Sequence, residues 1–224
     1  MSSGLPLDFE KLKQNAKVKL YIEGADKYLE AIGYTEHNVR HATKVSDFAG
    51  YILKELQYPE KDVLLAKAAG YMHDIGNFLG RQNHDQHGAI LSRDILNDFD
   101  ISIEDTIRIM GAIGLHESED IGVHDPVSAA ILIADKADVH RGRVRNPSMV
   151  SSDIHDRVNY AATESRLAVD AKAKTIILYL MINTGISQVI EYFEIFLSRM
   201  IVCRKAASAL GCEFQLFIND TRMA

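Results

Sequence analysis

Nine histidines occur in the 224 residues, all between His37 and His155, while residues 156–224 contain none. Several stand where side chains should be buried. His37 and His41 are four apart, so on a helix they share a face, and Val45 and Ala49 continue that row. His73 and Asp74 end a stretch whose apolar thread is Val63, Leu64, Ala68 and Met72. His116 follows Ile109, Ala112 and Ile113, and Asp135 follows Val127 and Ile131 at spacing four. Each of four candidate helices thus delivers an imidazole or a carboxylate from its apolar side. A buried ionised carboxylate is costly unless it is paired or coordinates a metal. Two of them among several imidazoles point to a divalent metal. Imidazole nitrogen and carboxylate oxygen suit Mn, Fe, Co, Ni or Zn, and carboxylate also suits Mg.

The elements that must position these groups are mostly helical. Residues 8–32 read as one helix through Leu12, Val18, Ile22 and Leu29, ended by Gly33. Thr35 is the expected cap of a helix over 36–57. Pro59 opens a third over 60–74, and Gly76 suits a left-handed residue after its end. Residues 85–97 and 103–116 are two more. Asp125-Pro126 is a cap and first-turn pair for a sixth over 126–139. After Arg145-Asn146-Pro147 the pattern changes. Segments 156–163, 165–170 and 174–183 are expected as strands. ISQVIEYFEIFLSRMIVCRKAASAL is expected as a long amphipathic helix capped by Ser187 and stopped by Gly211, and EFQLFIND alternates as a last strand. The expected class is α+β: a helical bundle over 1–147 that carries the chemistry, then a small βββαβ unit over 148–224.

The ordered stretches HATKV from His41, HDIG from His73, HG at His87, HE at His116 and ADKAD over 134–138 form a recognisable set. Over residues 35–146 the chain resembles the HD superfamily of metal-dependent phosphohydrolases. That family's pattern is H…HD…D, with two further histidines in members that bind two metals. The resemblance implies a first metal held by His41, His73, Asp74 and Asp135, and a second held by His87 and His116. His37 is the alternative first ligand. Asp74, with two oxygens, suits a bridging role.

The chemistry implied is hydrolysis at phosphorus by a water that a metal activates. Charge on the phosphate oxygens then needs preorganised cations. Lys136 is one candidate, although an ideal helix turns it about 100° from Asp135. Arg141, Arg143 and Arg145 are others, because a guanidinium matches phosphate with a planar fork of donors. His84 or His87 is a candidate proton donor to the leaving group. Asp138 either supports the site or is solvated. His124, His140 and His155 read as loop or surface residues.

Composition narrows the partners. With 47% hydrophobic and 25% charged residues the chain is an ordinary globular one. A net charge of −6 argues against general nucleic-acid binding. No apolar run reaches the roughly eighteen residues a membrane span requires. The start, MSSGLPLDFEKLKQN, lacks the pattern of a secretory signal. Cys203 and Cys212 give neither a disulfide scaffold nor zinc-site spacing, so the expected compartment is the cytoplasm. The expected substrate is a small phosphomonoester, phosphodiester or nucleotide. The alternative is a nucleotide-binding sensor whose C-terminal unit supplies a surface for homodimerisation or docking. Oxidation at a di-iron centre is a third possibility for the same ligand types.

Overall fold

A computed structural model describes residues 7–118 and 125–224. The helical part holds α1 (Phe9–Gln14), α2 (Ala16–Ala31), α3 (Val39–Glu55), α4 (Glu60–Met72), α5 (His84–Leu96), α6 (Ile103–Gly114) and α7 (Pro126–Lys136). A 3-10 turn, Ile75–Leu79, joins α4 to the approach to α5. Asn15 divides the helix expected over 8–32. Its own backbone is extended, and its side chain accepts the backbone N–H of Lys17 and Val18, so it starts α2 rather than continuing α1. Asn38, not Thr35, caps α3, accepting the Arg40 N–H at 2.7 Å. Asp125 and Pro126 do open α7.

Helix α7 is the central rod, buried throughout from Val127 to Ala134. Helices α3, α4 and α6 pack around it. Helix α3 crosses α4 where a Cβ on Gly70 would lie 3.0 Å from the Ser46 Cα. A side chain there would push apart the two helices that carry His41 and His73.

The C-terminal part begins with a correction. Residues 154–161 form α8 (Ile154–Ala161) in place of most of the strand expected over 156–163. The Asp153 side chain accepts the backbone N–H of His155 and Asp156 and nucleates this helix locally. One continuous strand follows, β1 (Ala162–Asp170), then β2 (Thr175–Ile182), α9 (Val189–Ala209), β3 (Glu213–Ile218) and β4 (Thr221–Arg222). The sheet order is β1-β2-β3-β4, with β2 and β3 parallel and the other pairs antiparallel. The unit is thus αββαββ rather than βββαβ, within a mostly helical α+β chain. Gln188, adjacent to the expected Ser187, caps α9 by exchanging hydrogen bonds with Glu191. Helix α9 lies against β2, β3 and α7, so the buried apolar side chains of helices and sheet form one continuous cluster. Among the described residues no helix is long and apolar enough to cross a membrane.

Gly76 is not left-handed; among the described residues the positive-φ glycines are Gly33, Gly80 and Gly211. Its requirement is space. A Cβ there would meet the His84 carbonyl oxygen at 2.0 Å and the Gly88 nitrogen at 2.4 Å. The first turn of α5 therefore sits directly on the backbone after Asp74. Gly76→Ala is expected to lower unfolding free energy in a urea titration by about 1–3 kcal/mol or more, because backbone atoms must move. An unchanged midpoint would contradict this packing.

Candidate metal centre

His41 lies in the first turn of α3, His73 and Asp74 directly follow α4, His84 opens α5, and His116 follows α6. Their side chains converge. His41 Nε2 lies 3.3 Å from His73 Nε2, 3.6 Å from Asp74 Oδ2 and 3.3 Å from Asp135 Oδ1. His73 Nε2 lies 3.2 Å from Asp74 Oδ2. The other Asp74 oxygen belongs to a second group: Oδ1 is 3.4 Å from His84 Nε2 and 3.7 Å from His116 Nε2, and those two nitrogens are 3.1 Å apart.

The opposite ring nitrogens are all engaged. Nδ1 of His41 meets the Asp138 carboxylate at 2.8 Å, Nδ1 of His73 the Gly70 carbonyl at 2.8 Å, Nδ1 of His84 the Arg81 carbonyl at 3.0 Å, and Nδ1 of His116 the Ile113 carbonyl at 2.7 Å. Oxygen acceptors at these positions require Nδ1–H donors. In a neutral imidazole the lone pair is then on Nε2. Four Nε2 lone pairs and two carboxylates facing one another repel unless a cation lies between them. Ligands at about 2.1 Å from a divalent ion are separated by roughly 3.0–3.4 Å for octahedral to tetrahedral angles, close to the spacings observed. The donor set thus fits divalent metal: His41, His73 and Asp74 on one side, and Asp74, His84 and His116 on the other.

The surroundings sharpen the charge pattern. Burial raises the Asp74 carboxyl, but the His73 charge and hydrogen bonds from the imidazoles outweigh it and hold the group well below the carboxylate range. Asp135 behaves alike, with burial overcome chiefly by the Lys136 ammonium. Burial pulls the His73 imidazolium down, but the Asp74 charge and its hydrogen bonds to both carboxylates push its pKa up to about 10. Burial, aided by the His73 and Lys136 charges, lowers His116. Without metal, one proton on His73 is the local substitute for a cation.

The remaining candidates separate clearly. His87, expected at the second metal, is in neither group, and its buried Nδ1 has no partner. His84 occupies that place instead, since the contact of Gly76 with α5 turns the face of His84 and Gly88 inward. His37 stands beside the cluster, its ring centroid 5.3 Å from that of His41. Its Nδ1 donates to the Thr35 carbonyl at 2.7 Å and its Nε2 accepts from Arg143 at 2.9 Å. Burial and the Arg143 charge hold it neutral. Lys136 is buried and donates to Asp135 Oδ2 at 2.7 Å and to the His116 carbonyl at 2.9 Å, so its flexible stem recovers the angle that the helix denies it. Arg143 is buried and also donates to the Asp138 carbonyl at 2.9 Å. Arg141 stacks over Tyr160, and Arg145 pairs with Asp26, so both guanidiniums take partners other than the metal groups. Asp138 supports the site, accepting from His41 and Arg40. His140 accepts the Gly142 N–H, and His124 lies outside the described residues.

Three residues escaped the sequence reading. Asn77 donates to Asp74 Oδ1 at 2.8 Å. Arg81 places a guanidinium nitrogen 4.0 Å from the same oxygen and pairs with Glu117 at 2.8 Å. The position of Asn77 three residues after Asp74, within a turn, is a signal for its contact; Arg81 and Glu117 carry none.

Residues 38–140 match the family model of the HD domain. The chain carries an HD domain. HD domains are generally metal-dependent hydrolases, and the match spans all four histidines and both aspartates of the cluster. The chain is also similar to the uncharacterized protein MJ1020 of Methanocaldococcus jannaschii, at 27% identity over 216 aligned residues, covering 84% of this chain and 82% of the relative.

Metal binding must displace the His73 proton. A group whose folded pKa is raised contributes stability that is complete below its unfolded value, near 6.5, and is lost as pH rises through about 10. Stability of the metal-free HD protein is therefore expected to fall between pH 7 and 10. Calorimetry at pH 7.5 in buffers of different ionisation enthalpy should record release of about one proton per chain as metal binds. No buffer dependence would contradict the charge assignment.

Proposed function

We propose that this protein is a phosphohydrolase that holds two divalent ions, with Asp74 shared between them. One ion is assigned to His41, His73, Asp74 and Asp135, the other to Asp74, His84 and His116. The observation that carries this reading is the division of the Asp74 carboxylate, one oxygen in each group. Divalent ions bound there would supply Lewis acidity and a water of lowered pKa.

The protein's own residues supply position and charge. The Nδ1 hydrogen bonds fix each ring's tautomer and aim Nε2 inward, as outer partners of metal-bound histidines do. Asn77 holds the shared carboxylate in place by donating to Oδ1. Lys136 neutralises the outer oxygen of Asp135, leaving Oδ1 facing the imidazoles. Arg81 and Arg143 line a cleft of about 450 Å³ beside the cluster, together with His37. That volume is within the range of small-molecule pockets. Arg81, reaching toward Asp74 from this cleft, is the residue best placed to bind oxygens of a phosphate ester and stabilise the charge that grows on them.

The test is hydrolysis of a panel of phosphomonoesters, phosphodiesters and nucleotides by protein supplied with Mn, Co, Ni, Fe, Zn or Mg. Activity with at least one pairing is expected. His84→Ala should lower it by a factor on the order of a hundred and reduce bound metal toward one ion per chain, whereas His87→Ala should change neither by more than a few-fold. Silence across the panel with metal bound rules out hydrolysis. Equal losses in the two variants would contradict the ligand assignment.

A further inference from the structure

The cleft beside the metal centre is not made by the helical part alone. Its far wall belongs to α8 and α9, outside the residues matched by the HD family model. Two features of that wall are unexplained by packing. Arg199, half-buried on α9, extends over the Phe196 ring at 4.8 Å and forms no ion pair among the described residues. Of the other two arginines of the cleft, Arg81 already pairs through one nitrogen with Glu117 while the other faces Asp74, and Arg143 donates to the Asp138 carbonyl and His37. The same cleft is lined by Asp153 and Asp156 of the α8 start, and neither is ion-paired among the described residues. Asp153 uses one oxygen to cap the helix.

An unpaired guanidinium held by an aromatic ring is a preorganised anion donor. Unpaired carboxylates a cleft's width from a phosphate site would repel the anion itself. They suit the part of a ligand that carries hydroxyl donors, since a carboxylate is an acceptor only. We propose that the C-terminal unit is the substrate-reading half of the site: Arg199 binds an anionic oxygen of the phosphate, Asp156 accepts from hydroxyls of the esterified group, and the substrate is a small hydroxylated phosphomonoester of the sugar-phosphate or nucleotide class. This rests on the phosphohydrolase reading for the orientation of the phosphate toward Asp74.

The experiment is calorimetric binding of inorganic phosphate and of ribose 5-phosphate, the ester as its non-hydrolysable phosphonate analogue, to the full chain loaded with Mn²⁺. Wild-type protein should bind both, ribose 5-phosphate the more tightly. Arg199→Gln should weaken phosphate binding on the order of tenfold with unchanged metal content, and Arg199→Lys should recover part of it. Asp156→Ala should leave phosphate binding unchanged and remove the extra affinity for ribose 5-phosphate. Phosphate binding that is absent in wild type, or unaltered in Arg199→Gln, overturns the role of Arg199. Equal affinity of wild type for the two ligands overturns the role of Asp156. If the Arg199 dependence holds while no ester is hydrolysed, phosphate recognition stands and the hydrolytic reading alone fails.

Discussion

Four imidazole protons, by where they point, set the polarity of the whole site. Each Nδ1–H is fixed by an oxygen on the outside of the cluster, three of them backbone carbonyls and one the Asp138 carboxylate. The inner nitrogens are consequently lone-pair donors, and they surround both oxygens of Asp74. In the interior, where water cannot screen them, such groups favour a cation over one another. The backbone carbonyls matter because they cannot rotate away. The tautomers are set by helix ends, so the site's polarity is a property of the fold rather than of adaptable side chains.

That arrangement constrains the packing around it. His73 can keep its contact with His41 only while α3 and α4 remain close, and a side chain at Gly70 would separate them. His84 reaches Asp74 only because Gly76 lets α5 rest on the backbone that follows it. Helix α7 brings Asp135 from the centre of the core, and α9 covers α7 on the side of the sheet. The C-terminal unit thereby shares the core of the bundle and supplies a wall of the cleft next to the metal groups. Stability and site geometry rest on the same contacts, so apolar substitutions in α7 or α9 will disturb both together.

Much of this was legible in the sequence, and the failures have physical causes. His41 and Asp135 sit in rows with Val45 and Ile131, His116 follows Ala112 by four, and His73 ends an apolar helix, so helical pattern turned all four toward the interior. His84 and His87 lie three residues apart at a helix start, where no apolar row precedes them to set the phase. A contact between backbones 76 and 84 decides it, and sequence pattern does not report such contacts. The strand expected over 156–163 became α8 because one Asp cap outweighed the propensities of a short, mixed segment. Arg145 looked like a phosphate ligand only while its partner Asp26, far away in sequence, was out of view. Arg199 had no signal at all in a helix that otherwise reads as packing.

The most direct measurement is anomalous diffraction from crystals of the protein purified with Mn²⁺. Two peaks are expected, one on each side of the Asp74 carboxylate, within coordination distance of His41 and His73 and of His84 and His116 respectively. A protein that takes up no Mn²⁺, with those six groups closed on one another through hydrogen bonds, would contradict the account.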